Sequence, residues 1–252
     1  MQTHTKPTPV GLNFILFLII LLITVSAKAD KHSDQDYPWN EYKRETGLVG
    51  YERNVINSKY IESRAEVVIE SPVEVIYQVL KDVDSYPKWM HECKQATLLN
   101  EQGSSMVLYL AQGAPFNSRD RDVVLEATTK ENLSNREYTI KFQKVASNSL
   151  HHPLDIKRDN RLWMNKFRGS WNLRMVDRDN TKVTFTLFSD PGGFAPGFIT
   201  NSVTRKASFL SLKGMIAMVR EDKYSIEATR SEMKKRIEAA LEQENLLFYN
   251  SD

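Results

Sequence analysis

Between Asp190 and Arg220 the chain reads DPGGFAPGFITNSVTRKASFLSLKGMIAMVR, and this run restricts the architecture more than any other. Pro191, Gly192 and Gly193 predict a turn, and Pro196 suits the first turn of a helix. Beyond it, Ile199, Val203, Ala207, Leu210, Gly214 and Ala217 follow in steps of four, four, three, four and three. That spacing predicts one long helix with an apolar or small face. A second stripe runs through Phe209, Leu212, Ile216 and Val219. A helix with two such stripes needs a large apolar surface to lie on.

The segments before it offer that surface. Trp39–Thr46 reads as a short helix and Leu48–Val55 as a first strand. Tyr60–Glu70 is a clearer strand, with Ala65, Val67 and Ile69 on one face. Ser71-Pro72-Val73-Glu74 has the form of a capping box. It opens a helix with Val73, Ile76, Tyr77 and Leu80 on its apolar side, ending near Asp82 to Ser85. In Tyr86-Pro87 the proline works against helix at Tyr86. Strands follow at Met106–Gln112, Asp122–Lys130, Glu137–Val145 and Leu162–Val176. The last places Trp163, Phe167, Trp171 and Leu173 on one side. Thr181–Ser189 pairs back across the polar turn Asp177-Arg178-Asp179-Asn180 and carries bulk on both faces. This order predicts an α+β fold, a curved antiparallel β-sheet wrapped around a long C-terminal α-helix. Tyr224–Asp252 is charged and helix-prone, and it either extends the long helix or packs outside.

The N-terminus is a separate matter. Lys6 lies in a polar lead, Leu12 to Val25 is almost wholly apolar, and Ala27-Lys28-Ala29 resembles a cleavage site. This order predicts a secretory signal peptide over residues 1–29, hence an exported, periplasmic protein. The other reading is a retained membrane anchor of residues 11–25, although a spanning helix wants about 20 apolar residues. Cleavage after Ala29 removes Lys6 and Lys28 and no acid, so 32 basic side chains would face 32 acidic ones. A net charge of zero argues against a nucleic-acid partner. Cys93 is the only cysteine, so the 252-residue chain has no internal disulfide and its core must hold the fold. Cys93 reads as a small buried apolar group, with a nucleophile beside His91 as the alternative.

No catalytic or metal motif stands out. His151-His152 is a pair, but neighbouring strand residues point to opposite faces, and no third ligand stands nearby. No G-x-S-x-G elbow, Walker loop or dinucleotide fingerprint is present, so neither cofactor nor metal is expected. What remains is aromatic and apolar mass with a few charges. Trp89, Tyr109, Trp163 and Trp171 are either core or the wall of an apolar ligand cavity. Arg119-Asp120-Arg121-Asp122 is either a solvated turn or a strand start with Arg121 aimed inward. A buried arginine must be paired, and its fork suits a carboxylate or phosphate. Phe194 and Phe198, beside the Gly/Pro loop, either dip into a bilayer interface or staple the loop down.

Four stretches together resemble a START domain, the lipid-transfer module of the helix-grip superfamily that also holds birch-allergen-like proteins and polyketide cyclases. They are Trp39 with Tyr51-Glu52-Arg53; Ser71-Pro72 through Asp84 and on to Tyr86-Pro87-Lys88-Trp89; Pro115-Phe116 with Arg121-Asp122-Val123-Val124; and Gly192-Gly193-Phe194-Ala195-Pro196. The resemblance covers Asp36 to Asp222, leaving residues 223–252 as a helical extension. It implies a tunnel for one lipid closed by the long helix, a lid formed by the loop before that helix, and binding or transfer without catalysis. It makes Arg121 the polar anchor and Ile199, Val203, Ala207 and Leu210 the pocket face of the helix. A lipid or other apolar molecule is then the expected partner, with transient contact to a membrane surface through Phe194 and Phe198. An enzyme of the cyclase or hydrolase kind is the rival, using Asp84, His91 or Arg121. A module with a solid core is the third reading.

Overall fold

Strands carrying β-branched and aromatic residues at alternate positions form one antiparallel sheet in the computed structural model, which describes residues 37–116, 118–145 and 160–249. In chain order the elements are β1 (Asn40–Glu45), β2 (Leu48–Asn54), β3 (Ile61–Glu70), α1 (Val73–Lys81), α2 (Tyr86–Trp89), β4 (Cys93–Gln102), β5 (Ser105–Gln112) and β6 (Arg121–Asn132). Then come β7 (Glu137–Lys144), β8 (Leu162–Trp163), β9 (Lys166–Met175), β10 (Asn180–Asp190), α3 (Gly197–Met218), α4 (Asp222–Thr229) and α5 (Glu232–Tyr249). The sheet runs β1-β2-β3-β10-β9-β7-β6-β5-β4, and short β8 adds to β6 in parallel. The expected helix-grip arrangement is present: the sheet curves round α3, which packs on β2, β3 and β10. The signal-peptide stretch 1–29 and His151-His152 lie outside the described residues.

Local chemistry explains where the elements depart from expectation. Trp39–Thr46 is strand rather than helix, because Thr46 and Gly47 both take positive φ (45° and 81°) and close a two-residue hairpin between β1 and β2. The Ser71 capping box does not form. Pro72 is the N-cap, no side chain caps α1, and the Ser71 carbonyl instead accepts from the Thr181 hydroxyl at 2.9 Å. Tyr86 is helical despite Pro87, since a proline in the first turn removes no helical bond. Its hydroxyl donates to the Leu80 carbonyl at 2.6 Å and pins the turn to α1. Edge strand β4 has no clean alternation because its register shifts twice, between Cys93 and Gln95 and between Leu98 and Asn100.

The expected single strand Leu162–Val176 is broken at Met164-Asn165. The break has a consequence for side-chain direction, because inward and outward positions no longer run in step across it. Phe167, Trp171 and Leu173 face the core, whereas Trp163 packs on the other face of the sheet with Tyr109, Ala111 and Val124. After Met218 the chain turns instead of prolonging α3. α4 returns onto α1, and Tyr224, Ala228, Met233 and Ile237 join the main core. Asp82 holds that return, accepting from Lys223 Nζ at 2.6 Å and from the Tyr224 hydroxyl at 2.9 Å.

α3 is fixed at both ends. Near its start the Asn201 Oδ1 accepts from the Ile61 backbone N–H at 3.1 Å, and the Tyr60 hydroxyl donates to the Ala195 carbonyl at 3.2 Å. In its middle the buried Ser208 and Ser63 hydroxyls meet at 2.6 Å. Near its end Gly214 lies so close to α2 that a Cβ there would collide with the Trp89 carbonyl.

Candidate functional site

Between α3 and the sheet the side chains do not meet everywhere. Among the described residues two chambers stand out there. The outer one, about 320 Å³, opens among the loop after β5, the loop before α3 and the first turns of α3. The inner one, about 40 Å³, lies deeper, between α1 and strands β5 to β10. Gln112, Phe167, Leu187 and Ala207 line both and form the partition between them. The outer volume falls at the low end of the ~300–1,000 Å³ range of small-molecule pockets.

The walls follow from strand alternation. Met106, Leu108 and Leu110 of β5 face the inner chamber, while Tyr109 between them faces away. Tyr109 therefore lies outside the cavity, its hydroxyl donating to Asp122 Oδ2 at 3.2 Å and accepting from Arg161 Nη1 at 3.1 Å. Trp163 is on that outer side too, turned there by the break before β9. Trp171 does line the inner chamber, stacked face to face on Phe185 with ring centroids 3.8 Å apart. Trp89 is buried behind it, edge-on to Trp171 at 5.9 Å and to Tyr86 at 5.3 Å, so it backs the wall without lining it.

On α3 the lining face is Ile199, Thr200, Val203, Thr204 and Ala207, with Ser211 further in. Ile199, Val203 and Ala207 were expected there. Leu210 packs instead against the core at the margin of that face. The spacing of apolar residues concealed that Thr200, Thr204 and Ser211 occupy the same face. The Thr204 hydroxyl donates to the Thr200 carbonyl at 3.0 Å, and Ser211 Oγ accepts from the His91 backbone N–H at 3.0 Å.

Arg121 lines the outer chamber and is only 7% exposed. Its Nε donates to the Pro191 carbonyl at 2.9 Å, and Nη1 donates to the Arg119 carbonyl. Burial, and next the nearby Arg119, hold its guanidinium below the usual arginine range, against the pull of Asp120 and Tyr60. The bond to Pro191 ties the start of β6 to the loop that leads into α3. Phe194 and Phe198 are exposed, at 95% and 77%. A third aromatic is exposed as well: Phe116, at 85%, on the loop after β5 and at a positive φ of 56°. Phe116 and Phe194 both line the outer chamber. Sequence reasoning noticed Pro115-Phe116 but not its place at that chamber, since only the fold brings the two loops together.

Of the three groups that an enzyme reading would use, Arg121 alone lines a chamber. Asp84 is exposed on the turn before α2, and His91 is half-buried but lines neither space. Cys93 is buried, and burial pushes its thiol up to about 12, which suits an apolar packing group rather than a nucleophile. Among the described residues no cluster of three metal-ligating side chains occurs.

Comparison with known proteins agrees with this geometry. An uncharacterized protein of Pseudomonas aeruginosa is 27% identical over 201 residues, covering 80% of this chain and 95% of its own. A solved fragment of a STAR-related lipid transfer protein from Xanthomonas axonopodis is 26% identical, with a TM-score of 0.65 over 73% of this chain and 99% of that one. Human StAR-related lipid transfer protein 5 shares the fold at a TM-score of 0.63 and 13% identity, covering 72% of this chain and 86% of its own. The START resemblance carried by four short stretches of sequence therefore holds. With the family model matching residues 69–215, the chain belongs to the polyketide cyclase/dehydrase and lipid transport family.

Proposed function

We propose that the protein binds, and carries between membranes, a lipid or other apolar ligand held in the cavity beneath α3, without catalysing a reaction on it. One observation supports this above the others: α3 and the sheet leave a chamber of about 320 Å³ whose walls are mostly apolar. A module with a solid core would have no such space. The rival enzyme reading loses support because Asp84 and His91 line neither chamber. Exposed Phe116 and Phe194, which line the outer chamber, and exposed Phe198 in the first turn of α3 fit brief contact with a membrane surface during loading. The charged lead, apolar run and Ala27-Lys28-Ala29 site favour export and cleavage after Ala29.

Native mass spectrometry of protein purified from its own source tests both readings. The expected spectrum shows a chain beginning at Asp30 with an apolar molecule bound. A ligand-free spectrum, together with no uptake from liposomes, overturns the carrier reading. An intact N-terminus overturns cleavage.

A further inference from the structure

The inner chamber has a different kind of wall at its far end. Strand β5 passes both chambers. Gln112 lines the two, and Met106, about 20 Å back along the strand, lines the inner one alone. Lys81, the last residue of α1, lines the inner chamber too, and among the described residues that do so it is the only charged one. Its Nζ meets Glu101 Oε1 at 2.6 Å, and Glu101 is the register partner of Met106 on β4. The ion pair therefore lies over the rear end of β5. Both side chains are 37% exposed, so the pair stands between the chamber and water.

Backbone does not seal this place. Helix α1 packs mainly on α4, with lesser contact to α3 and β9, and it stands off the hairpin of β4 and β5. Side chains span the gap. One link is the Lys81–Glu101 pair, and the other joins the Tyr77 hydroxyl to Thr129 Oγ1 of β6 at 3.3 Å. The second is long for a bond between two hydroxyls, and a part-exposed lysine–carboxylate pair holds only weakly. Exposed side chains also change rotamer quickly, so nothing slow keeps the gap shut. At the other end, the outer chamber opens between the loops beside α3.

We propose that the two chambers are one tunnel with a second outlet at the rear, under the end of α1, gated by Lys81 and Glu101. The end of an apolar chain longer than the tunnel emerges there. A blind end would instead force the excess back through the mouth. When the gate opens, the lysine stem can lie along the emerging chain while its ammonium stays in water. This inference rests on the carrier reading and adds how such a carrier tolerates chain length.

Saturated fatty acids of increasing length, from decanoate to tetracosanoate, are offered to the full-length protein from phosphatidylcholine vesicles, and the affinity is measured at each length. In the unaltered protein affinity is expected to rise with length and then level off. Lys81→Ala and Glu101→Ala are each expected to tighten binding beyond that break about two- to fivefold, the range that an exposed ion pair supplies. Shorter members should keep their affinity, which also reports that the variants are folded. Lys81→Arg retains a cation for Glu101 and is expected to follow the parent. A photoreactive group at the tail end of a long member is expected to label α1 or the hairpin of β4 and β5. Should the alanine variants not fold, that labelling in the unaltered protein still decides. Variants that change all lengths alike or none, or a label confined to the loops at the mouth, overturn the rear outlet and leave the carrier reading standing. A ligand-free native spectrum with no uptake from liposomes overturns both.

Discussion

Gly214 carries no side chain because of what sits opposite it. The Trp89 carbonyl at the end of α2 fills the place a Cβ would take, so the helices can cross there only over glycine. Gly214→Val is expected to lower stability by about 1–3 kcal/mol through overpacking. In urea unfolding this appears as a lower midpoint with an unchanged slope. In sequence Gly214 reads only as a small residue in a repeating pattern, because the group that excludes a side chain is over a hundred residues away. Trp163 and Tyr109 carry the same lesson. Their aromatic character was plain, but which face of the sheet they occupy depends on a strand break and on register. Arg121 was legible as an inward-facing candidate from the Arg-Asp pair at a strand start, where neighbouring residues must point apart. Its bond to the Pro191 carbonyl was not, since that needs the loop before α3 to return to β6.

Helix α3 was the most legible element, because spacing alone predicts it, and it spans Gly197 to Met218 much as expected. Its ligand-facing side was less so. Hydroxyl residues share that face, and a search for apolar steps passes over them. Strand β4 was not legible at all, since its irregular register leaves no alternation to read. The packing of α4 on α1 was open in sequence and is settled by the Asp82, Lys223 and Tyr224 cluster. Burial works to raise the Asp82 carboxyl, but bonds from Lys223, Ser85 and Tyr224 outweigh it and hold the group below the usual aspartate range. Such a group stabilises the fold above its unfolded pKa of about 3.9, and that contribution is lost as pH falls through the folded value. Asp82→Asn is therefore expected to cost about 1 kcal/mol near neutral pH, kept small because the pair is partly exposed. The difference between variant and parent should shrink as pH drops from about 5 toward 3. Thermal melts across that range measure it.

The described residues form a cup of antiparallel strands closed by one helix, with exposed Phe116 and Phe194 lining the outer chamber and exposed Phe198 in the first turn of α3. This outline was readable from the order of elements, while the chambers were not, because an unfilled volume belongs to no single residue. If these phenylalanines meet a bilayer, replacing Phe116, Phe194 and Phe198 together with serine should lower partition onto lipid vesicles more than about tenfold, given the apolar area lost. Co-sedimentation with vesicles measures the loss, and unchanged binding would remove them from any role in docking. The return of α4 and α5 bears on how this protein can be shortened. The family match ends at residue 215, yet Tyr224, Ala228, Met233 and Ile237 beyond it belong to the same core. Those on α4, Tyr224 and Ala228, belong to the helix that covers α1, whose Tyr77 and Leu80 line the inner chamber. A chain trimmed at the family boundary would bare an oily flank on α1 and slacken one side of the binding space, so its lost affinity would be misread as a poor ligand rather than a missing buttress.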